Sequence, residues 1–210
     1  MPSDYLDPIR AELTRAWPDN RTVNLIFHGH SVPAGYFDTP DVRTDLAYPR
    51  LVQDGLKRRY PYAVINAIVT AIGGEHSAQG ADRFDAVVAH RPDVLFLDYA
   101  LNDRSIGLEQ AETAWTSMIS AAVAAGTKVV LLTPTGDLRS DLTDPADDLN
   151  RHADQVRNLA ERHGLPVADS TAAFLAATAA GTDPADLMSH VNHPNEQGHS
   201  LVAEAILRLF

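Results

Sequence analysis

The chain has no cysteine in its 210 residues. That excludes a disulfide framework, a thiolate nucleophile and a Cys-ligated zinc. Lysine is almost missing too: Lys57 and Lys128 are the only two. Acids outnumber Lys and Arg by 28 to 17, for a formal net charge of −11 at pH 7. Such a charge repels a nucleic-acid backbone on average, and no basic stripe overrides the mean. The densest positive run, Lys57-Arg58-Arg59, closes a helical pattern, where cations favour the helix dipole. No apolar run approaches the ~20 residues of a membrane span, so no membrane partner is expected. The first residues lack a basic segment followed by an apolar one, and a cytoplasmic location is the expectation. Neither GxxxxGK[ST] nor GxGxxG occurs, which removes the usual phosphate-binding loops. HExxH is absent as well. The pair His28-x-His30 invites a metal reading, with His76, His190 or Asp98 as further ligands. Both histidines lie where a strand passes into a loop, however, so a shared facing is not dictated. No metal and no other cofactor is expected.

What is present is alternation. Apolar bursts at 23–27, 63–68, 94–97, 129–132 and 165–168 read as strands. Helical patterns run roughly over 4–16, 45–60, 79–90, 108–125, 146–163, 170–180 and 195–209. Repeated βα units of this kind predict a parallel sheet. The third and fourth bursts are unbroken apolar runs, as strands covered on both faces require. Pro166 predicts that the short fifth strand lies at a sheet edge. Asp45 and Ser170 are expected as helix N-caps, and Asp169 as a further cap. Gly126 and Gly164 stand where helices end in a left-handed residue. The length fits one domain over residues 1–210. The expected fold is a three-layer α/β/α flavodoxin-like arrangement with a central, mostly parallel five-stranded sheet.

In such open sheets, sites form at the C-terminal ends of the strands. There the chain places His28-Gly29-His30-Ser31, then Gly73-Gly74-Glu75-His76, then Asp98-Tyr99-Ala100-Leu101-Asn102-Asp103-Arg104. His190-Val191-Asn192-His193-Pro194-Asn195 precedes the last helix. Acyl transfer needs a nucleophile, a base and donors for an oxyanion. A serine hydroxyl attacks only once a neighbouring imidazole takes its proton. Ser31 supplies a hydroxyl and His193 an imidazole. The N–H groups of Ser31 and Gly74 and the side-chain amide of Asn102 supply three donors. Each residue also has a plainer structural role open to it. Ser31 can cap a helix, Gly73-Gly74 can make a turn, Asn102-Asp103 can make an Asx turn, and His193 before Pro194 can open a helix.

Gly29-His30-Ser31 resembles the first block of SGNH/GDSL hydrolases, whose usual form is Gly-Asp-Ser. Gly74 resembles the oxyanion glycine of the second block. Ala100-Leu101-Asn102-Asp103 resembles the third, usually Gly-x-Asn-Asp. His193-Pro194-Asn195 resembles the fifth, usually Asp-x-x-His-Pro-Asn. The blocks occur in family order over residues 22 to 209. The resemblance implies a serine esterase with Ser31 as nucleophile, His193 as base, and Gly74 and Asn102 in the oxyanion hole.

The chain departs from that pattern three times. His30 replaces the Asp beside the nucleophile, Ala100 replaces a glycine, and His190 stands where an Asp normally orients the base. A backbone carbonyl near Val191, or a carboxylate such as Asp186, is then expected to hold His193. The expectation is a dyad, or a triad completed in an unusual way.

Tyr36, Phe37, Glu75, Asp98, Tyr99 and Arg104 are expected at the mouth, with Glu75, Tyr99 and Arg104 binding substrate. Such a mouth is more polar than a lipid channel, and it points to short acyl groups, such as acetyl on a carbohydrate. The partner is then a small-molecule or carbohydrate ester. Two alternatives use the same residues. One is a non-catalytic carbohydrate-binding module on a degenerate hydrolase scaffold, which the substitutions at 30 and 190 favour and the retained Ser31 and His193 oppose. The other is acyl transfer to a second hydroxyl, which depends on water access rather than on residue type.

Overall fold

The apolar bursts become five parallel strands: β1 (Thr22–Gly29), β2 (Val64–Val69), β3 (Val94–Asp98), β4 (Lys128–Leu132) and β5 (Val167–Ala168). The structure is a computed structural model and describes residues 4–210. The strand order is β2-β1-β3-β4-β5, the flavodoxin-like order, and every pairing in this sheet is parallel. Pro166 sits just outside β5, which is an edge strand as expected.

Side chains alternate across the sheet because successive residues of a strand face opposite sides. Leu25, Phe27, Val94, Phe96, Val130 and Leu132 face one helical layer. It consists of α1 (Asp7–Leu13), α3 (Tyr48–Arg59), α9 (Ser170–Ala179) and α10 (Glu196–Leu207). Ile26, Leu95, Leu97, Val129 and Leu131 face the other, built from α5 (Phe84–Val88), α7 (Leu108–Ala124) and α8 (Asp148–His163). Trp115 and Met118 of α7 fill its centre. Each large side chain buried this way contributes roughly 1.5–3 kcal/mol.

Shorter elements occupy the strand ends: α2 (Ser31–Ala34) after β1, α4 (Ser77–Asp82) after β2 and α6 (Ala100–Asp103) after β3. Two small strands, β6 (Met188–His190) and β7 (His193–Pro194), form an antiparallel hairpin ahead of α10. The apolar pattern gave no sign of this hairpin, which is too short to carry a period.

Several expected boundaries shift. Asp45 is not a cap; α3 begins at Tyr48, with Pro49 in its first turn and the Tyr48 N–H donated to His199 Nδ1 at 3.2 Å. Ser170 is not a cap either. Asp169 is, its Oδ1 accepting from the Ala172 N–H at 3.0 Å. The pattern over 79–90 splits at Arg83 into α4 and α5. Gly126 and Gly164 do adopt left-handed backbone, at φ +82° and +65°. Lys57 donates to the carbonyls of Pro61 and Ala63, which fits a helix-end role for that basic run. Among the described residues no helix is long and apolar enough to cross a membrane.

The order 2-1-3 has a mechanical consequence. After β1 the chain turns to one side of the sheet, and after β3 to the other. A crevice therefore opens between the C-terminal ends of β1 and β3.

Candidate active site

Ser31 stands at that crevice as the first residue of α2, where a backbone N–H has no carbonyl one turn back to bond. His30 caps the helix: its Nδ1 accepts from the Val32 N–H at 3.2 Å. An acceptor nitrogen carries no proton, so the proton is on Nε2. Nε2 faces Asp98 Oδ1 at 3.3 Å, out of line for a hydrogen bond. The other oxygen of Asp98 accepts from Tyr48 Oη at 3.0 Å. Thus the imidazole of His30 serves as the N-cap of α2.

The β6–β7 hairpin delivers His193 to the same point. Its Nε2 lies 3.0 Å from Ser31 Oγ. Its Nδ1 lies 2.8 Å from the backbone oxygen of Phe37. A carbonyl only accepts, so Nδ1 holds the proton and Nε2 presents a lone pair to the serine. Burial pushes the His193 pKa below the ordinary imidazole value; the Phe37 carbonyl pulls it partly back, while His190 and His30 reinforce the burial effect. The imidazole is therefore neutral near pH 7, as a base must be.

Neither expected acid partner takes part. Asp186 lies in a 3-10 turn (Pro184–Leu187), and its backbone oxygen accepts from Asn195 Nδ2 at 2.7 Å. That contact holds the N-cap of α10 and turns the residue's role to the backbone. His190 pairs with His193 across the hairpin, with ring centroids 5.7 Å apart. The Val191 carbonyl is taken by the Leu138 N–H at 2.8 Å. The support comes instead from Phe37, 156 positions away in sequence.

A cleft of about 390 Å³ opens over the pair, lined by Ser31, Tyr36, Thr39, Gly73, Gly74, Asn102, His190, Asn192 and His193. Gly74 has φ +80°, and a Cβ there would meet nothing within 4 Å; the backbone conformation alone calls for glycine. Asn102 gives one amide hydrogen to the Glu75 carbonyl at 2.9 Å, which leaves its second for the cleft. The structure thus brings Ser31, His193, Gly74 and Asn102 together.

It does not bring Glu75, Tyr99 or Arg104 to the mouth. Glu75 is buried and binds Arg83 and the Tyr99 hydroxyl. Tyr99 is fully buried beneath the loop, because its side of β3 faces the α5–α7 layer. Arg104 reaches Asp137 Oδ2 at 2.6 Å rather than the cleft. Asp98 is buried as well, and Phe37 offers only its carbonyl. Sequence reading missed Thr39 and Asn192; polar residues on loops carry no period that marks them.

His28 and His30 diverge. His28 bonds Thr70 Oγ1, the Gly80 carbonyl and Tyr99 Oη, on the sheet face opposite to Tyr48 and Asp98. Among the described residues no group of three His, Asp or Glu is placed to hold a metal ion. Asp103 is structural, accepting from the Ser77 N–H and Trp115 Nε1, each at 2.7 Å.

A family model described as GDSL-like lipase/acylhydrolase matches residues 27–201. Among solved structures, an acetylxylan esterase from Geobacillus stearothermophilus superposes with a TM-score of 0.78 at 22% identity, over 89% of this chain and 93% of that one. A two-domain esterase active on acetylated mannans gives 0.77 at 20% identity, over 98% of this chain and 52% of its own. An α/β hydrolase enzyme from the metagenome of Lake Arreo, Spain, gives 0.75 at 21% identity, over 94% and 97%. At such identities these likenesses speak for the fold. No curated protein matches the chain in sequence.

Proposed function

The chain belongs to the GDSL-like lipase/acylhydrolase family, and on that premise we propose that it is a serine esterase removing short acyl groups, acetyl foremost, from neutral, hydroxyl-rich substrates such as carbohydrates. Membership makes it a carboxylic ester hydrolase. The observation that carries the finer reading is the 3.0 Å contact of His193 Nε2 with Ser31 Oγ, in a cleft shared with Gly74 and Asn102.

In the cycle, Ser31 Oγ attacks the ester carbonyl carbon while His193 Nε2 takes its proton. The carbonyl oxygen becomes an oxyanion and is met by the N–H groups of Ser31 and Gly74 and by Asn102 Nδ2. The intermediate collapses to an acyl-serine, and His193 returns the proton to the leaving alkoxide. Water, deprotonated by the same nitrogen, then releases the acid and regenerates Ser31.

The substrate class rests on what lines the cleft. The chain has 28 acids and 17 Lys and Arg, yet among the described residues no Asp, Glu, Lys or Arg lines this cleft. A cationic ester would find no carboxylate there, and an anionic phospholipid would meet an acidic protein surface. Tyr36, Thr39, His190 and Asn192 offer hydroxyl, amide and imidazole groups, which suit sugar hydroxyls. Two structural neighbours are described as esterases of acetylated xylan and mannan, which favours the same class.

The test is hydrolysis of p-nitrophenyl acetate by the protein and by Ser31→Ala, with phosphonate labelling followed by mass mapping. Turnover lost in Ser31→Ala and an adduct on Ser31 are the expected results. Absence of both removes the esterase reading and favours the non-catalytic binding module. An acyl-chain series and acetylated oligosaccharides then address the substrate.

A further inference from the structure

Beside the cleft lies a polar network, buried at His28, Glu75 and Tyr99 and half-buried at Thr70 and Arg83, that the proposed cycle does not use. Arg83 donates Nε to Glu75 Oε1 at 2.7 Å and Nη2 to Glu75 Oε2 at 2.5 Å. The same guanidinium donates to the Thr70 carbonyl at 2.7 Å. Tyr99 Oη donates to Glu75 Oε2 at 2.9 Å and lies 3.1 Å from His28 Nε2. His28 in turn reaches the Gly80 carbonyl at 3.2 Å and Thr70 Oγ1 at 3.0 Å.

The proton directions follow from the groups. The Gly80 carbonyl only accepts, so His28 carries its proton on Nε2 and shares it with the Tyr99 oxygen. The Tyr99 hydroxyl then has one proton to give, and it goes to the carboxylate. Burial pushes the Glu75 carboxyl up, but the Arg83 and Tyr99 hydrogen bonds outweigh it and hold the group ionised below its ordinary range. Burial also pushes His28 down to about 4, so its ring stays neutral. A Cβ at residue 80 would collide with the Tyr99 hydroxyl, so glycine is required for α4 to come this close.

This network ties together the three strand ends that carry the site: β1 through His28, β2 through Thr70 and β3 through Tyr99. It also ends on Asn102 by two routes. The Glu75 carbonyl receives one Asn102 amide hydrogen at 2.9 Å. The Tyr99 carbonyl receives the Asn102 backbone N–H at 3.0 Å and so starts α6. We infer that Glu75 and Tyr99 are positioning residues that aim the free Asn102 amide hydrogen at the oxyanion. The inference rests on the serine-esterase reading and extends it to residues that touch no substrate. Fixing Glu75 also fixes the turn that presents Gly74 next to it. A ligand group misplaced by about 1 Å can cost about 100-fold in rate, which gives a buried clamp its leverage.

The experiment measures p-nitrophenyl acetate kinetics and the affinity of a phenylboronic acid, whose serine adduct mimics the tetrahedral intermediate. Tyr99→Phe removes one buried oxygen; Glu75→Gln removes the charge at nearly constant shape. The expected result is a kcat lower by about ten-fold or more at a KM changed by less than about two-fold. Boronate affinity should fall by the same factor, while the acid limb of the pH profile, which His193 sets, should stay in place. Tyr99→Phe should lose its effect on kcat in an Asn102→Ala background. General loosening of the fold would instead move KM, the pH limb and kcat together and persist in that background. Folded variants with wild-type kcat, or an undiminished Tyr99→Phe loss alongside Asn102→Ala, overturn the inference. If Glu75→Gln does not fold, Tyr99→Phe and the double variant still decide. A wild type without Ser31-dependent turnover overturns the esterase reading, and the positioning role with it.

Discussion

His193 donates its Nδ1 proton to the backbone carbonyl of Phe37 across 2.8 Å. A carbonyl fixes the ring orientation and the tautomer as a carboxylate would, but it brings no full negative charge to the imidazolium formed during attack. Phe37 is itself held. Its ring packs 5.1 Å from the His199 ring, and the Arg43 guanidinium lies over it at 5.2 Å.

That arrangement separates two substitutions. Asp186→Asn should leave kcat/KM within about two-fold of wild type, because the Asp186 carboxylate makes no bond to the base. His193→Ala should cost roughly 10⁴-fold or more, as loss of a triad imidazole does. Steady-state kinetics on p-nitrophenyl acetate measure both. Comparable losses would make Asp186 the acid after all.

Restoring a carboxylate at the family position tests the charge argument. As the proposed base His193 would act only when neutral, and burial holds its pKa below the ordinary imidazole value. The acid limb of kcat/KM therefore lies low in pH. In His190→Asp a carboxylate replaces a ring whose centroid is 5.7 Å from that of His193. An anion at that range favours the imidazolium, so the pKa rises and the limb moves to higher pH by about one unit. A limb that stays, or moves down, contradicts the account. The shift is read from kcat/KM between pH 4 and 8.

The strands were legible because short apolar bursts rich in Val, Ile, Leu and Phe are flanked by turn residues and alternate with helical patterns. The burst at 94–97 matches β3 to within a residue. That Ser31, Gly74, Asn102 and His193 meet at one cleft was legible because polar side chains and glycines gather on one rim of a parallel sheet and because the resembling blocks occur in family order. The support for His193 was not, since a main-chain oxygen bears no mark of residue type and Phe37 is remote in sequence. Glu75 and Tyr99 misled for a related reason. A polar residue beside a strand end can face the cleft or the layer beneath, and only packing against Arg83 and His28 decides which.

Arg104 provides a third prediction, on stability instead of substrate. It bonds Asp137, which also binds Arg139, inside the segment whose Leu138 N–H holds the His193-bearing hairpin at Val191. Burial pushes the Asp137 carboxyl up, but the two arginines outweigh it and bring its pKa down to about 2. The stabilisation is thus complete above the unfolded carboxyl value near 4 and is lost as pH falls towards 2. Arg104→Met should leave KM unchanged and cost on the order of 1–2 kcal/mol at pH 7, with a smaller cost at pH 3. Urea unfolding at the two pH values measures this. A raised KM at unchanged stability would return Arg104 to the substrate.

His199 links acid sensitivity to the site. Burial pushes its pKa to about 3, with His193 adding to the effect. Its Nδ1 accepts from the Tyr48 N–H, which requires an unprotonated nitrogen. An unfolded chain binds a proton here below about 6.5 while the folded one does not. Stability from this group is therefore full above pH 6.5 and drains by about 1.4 kcal/mol per pH unit as pH falls towards 3. His28, lowered to about 4, adds a second proton over part of the same range. His199→Asn keeps an acceptor for Tyr48 and removes the titrating ring. Unfolding free energies at pH 7, 6 and 5 should then fall with a slope smaller by up to one proton. Equal slopes for the two proteins would mean that His199 is protonated in the folded state and that Tyr48 finds another acceptor.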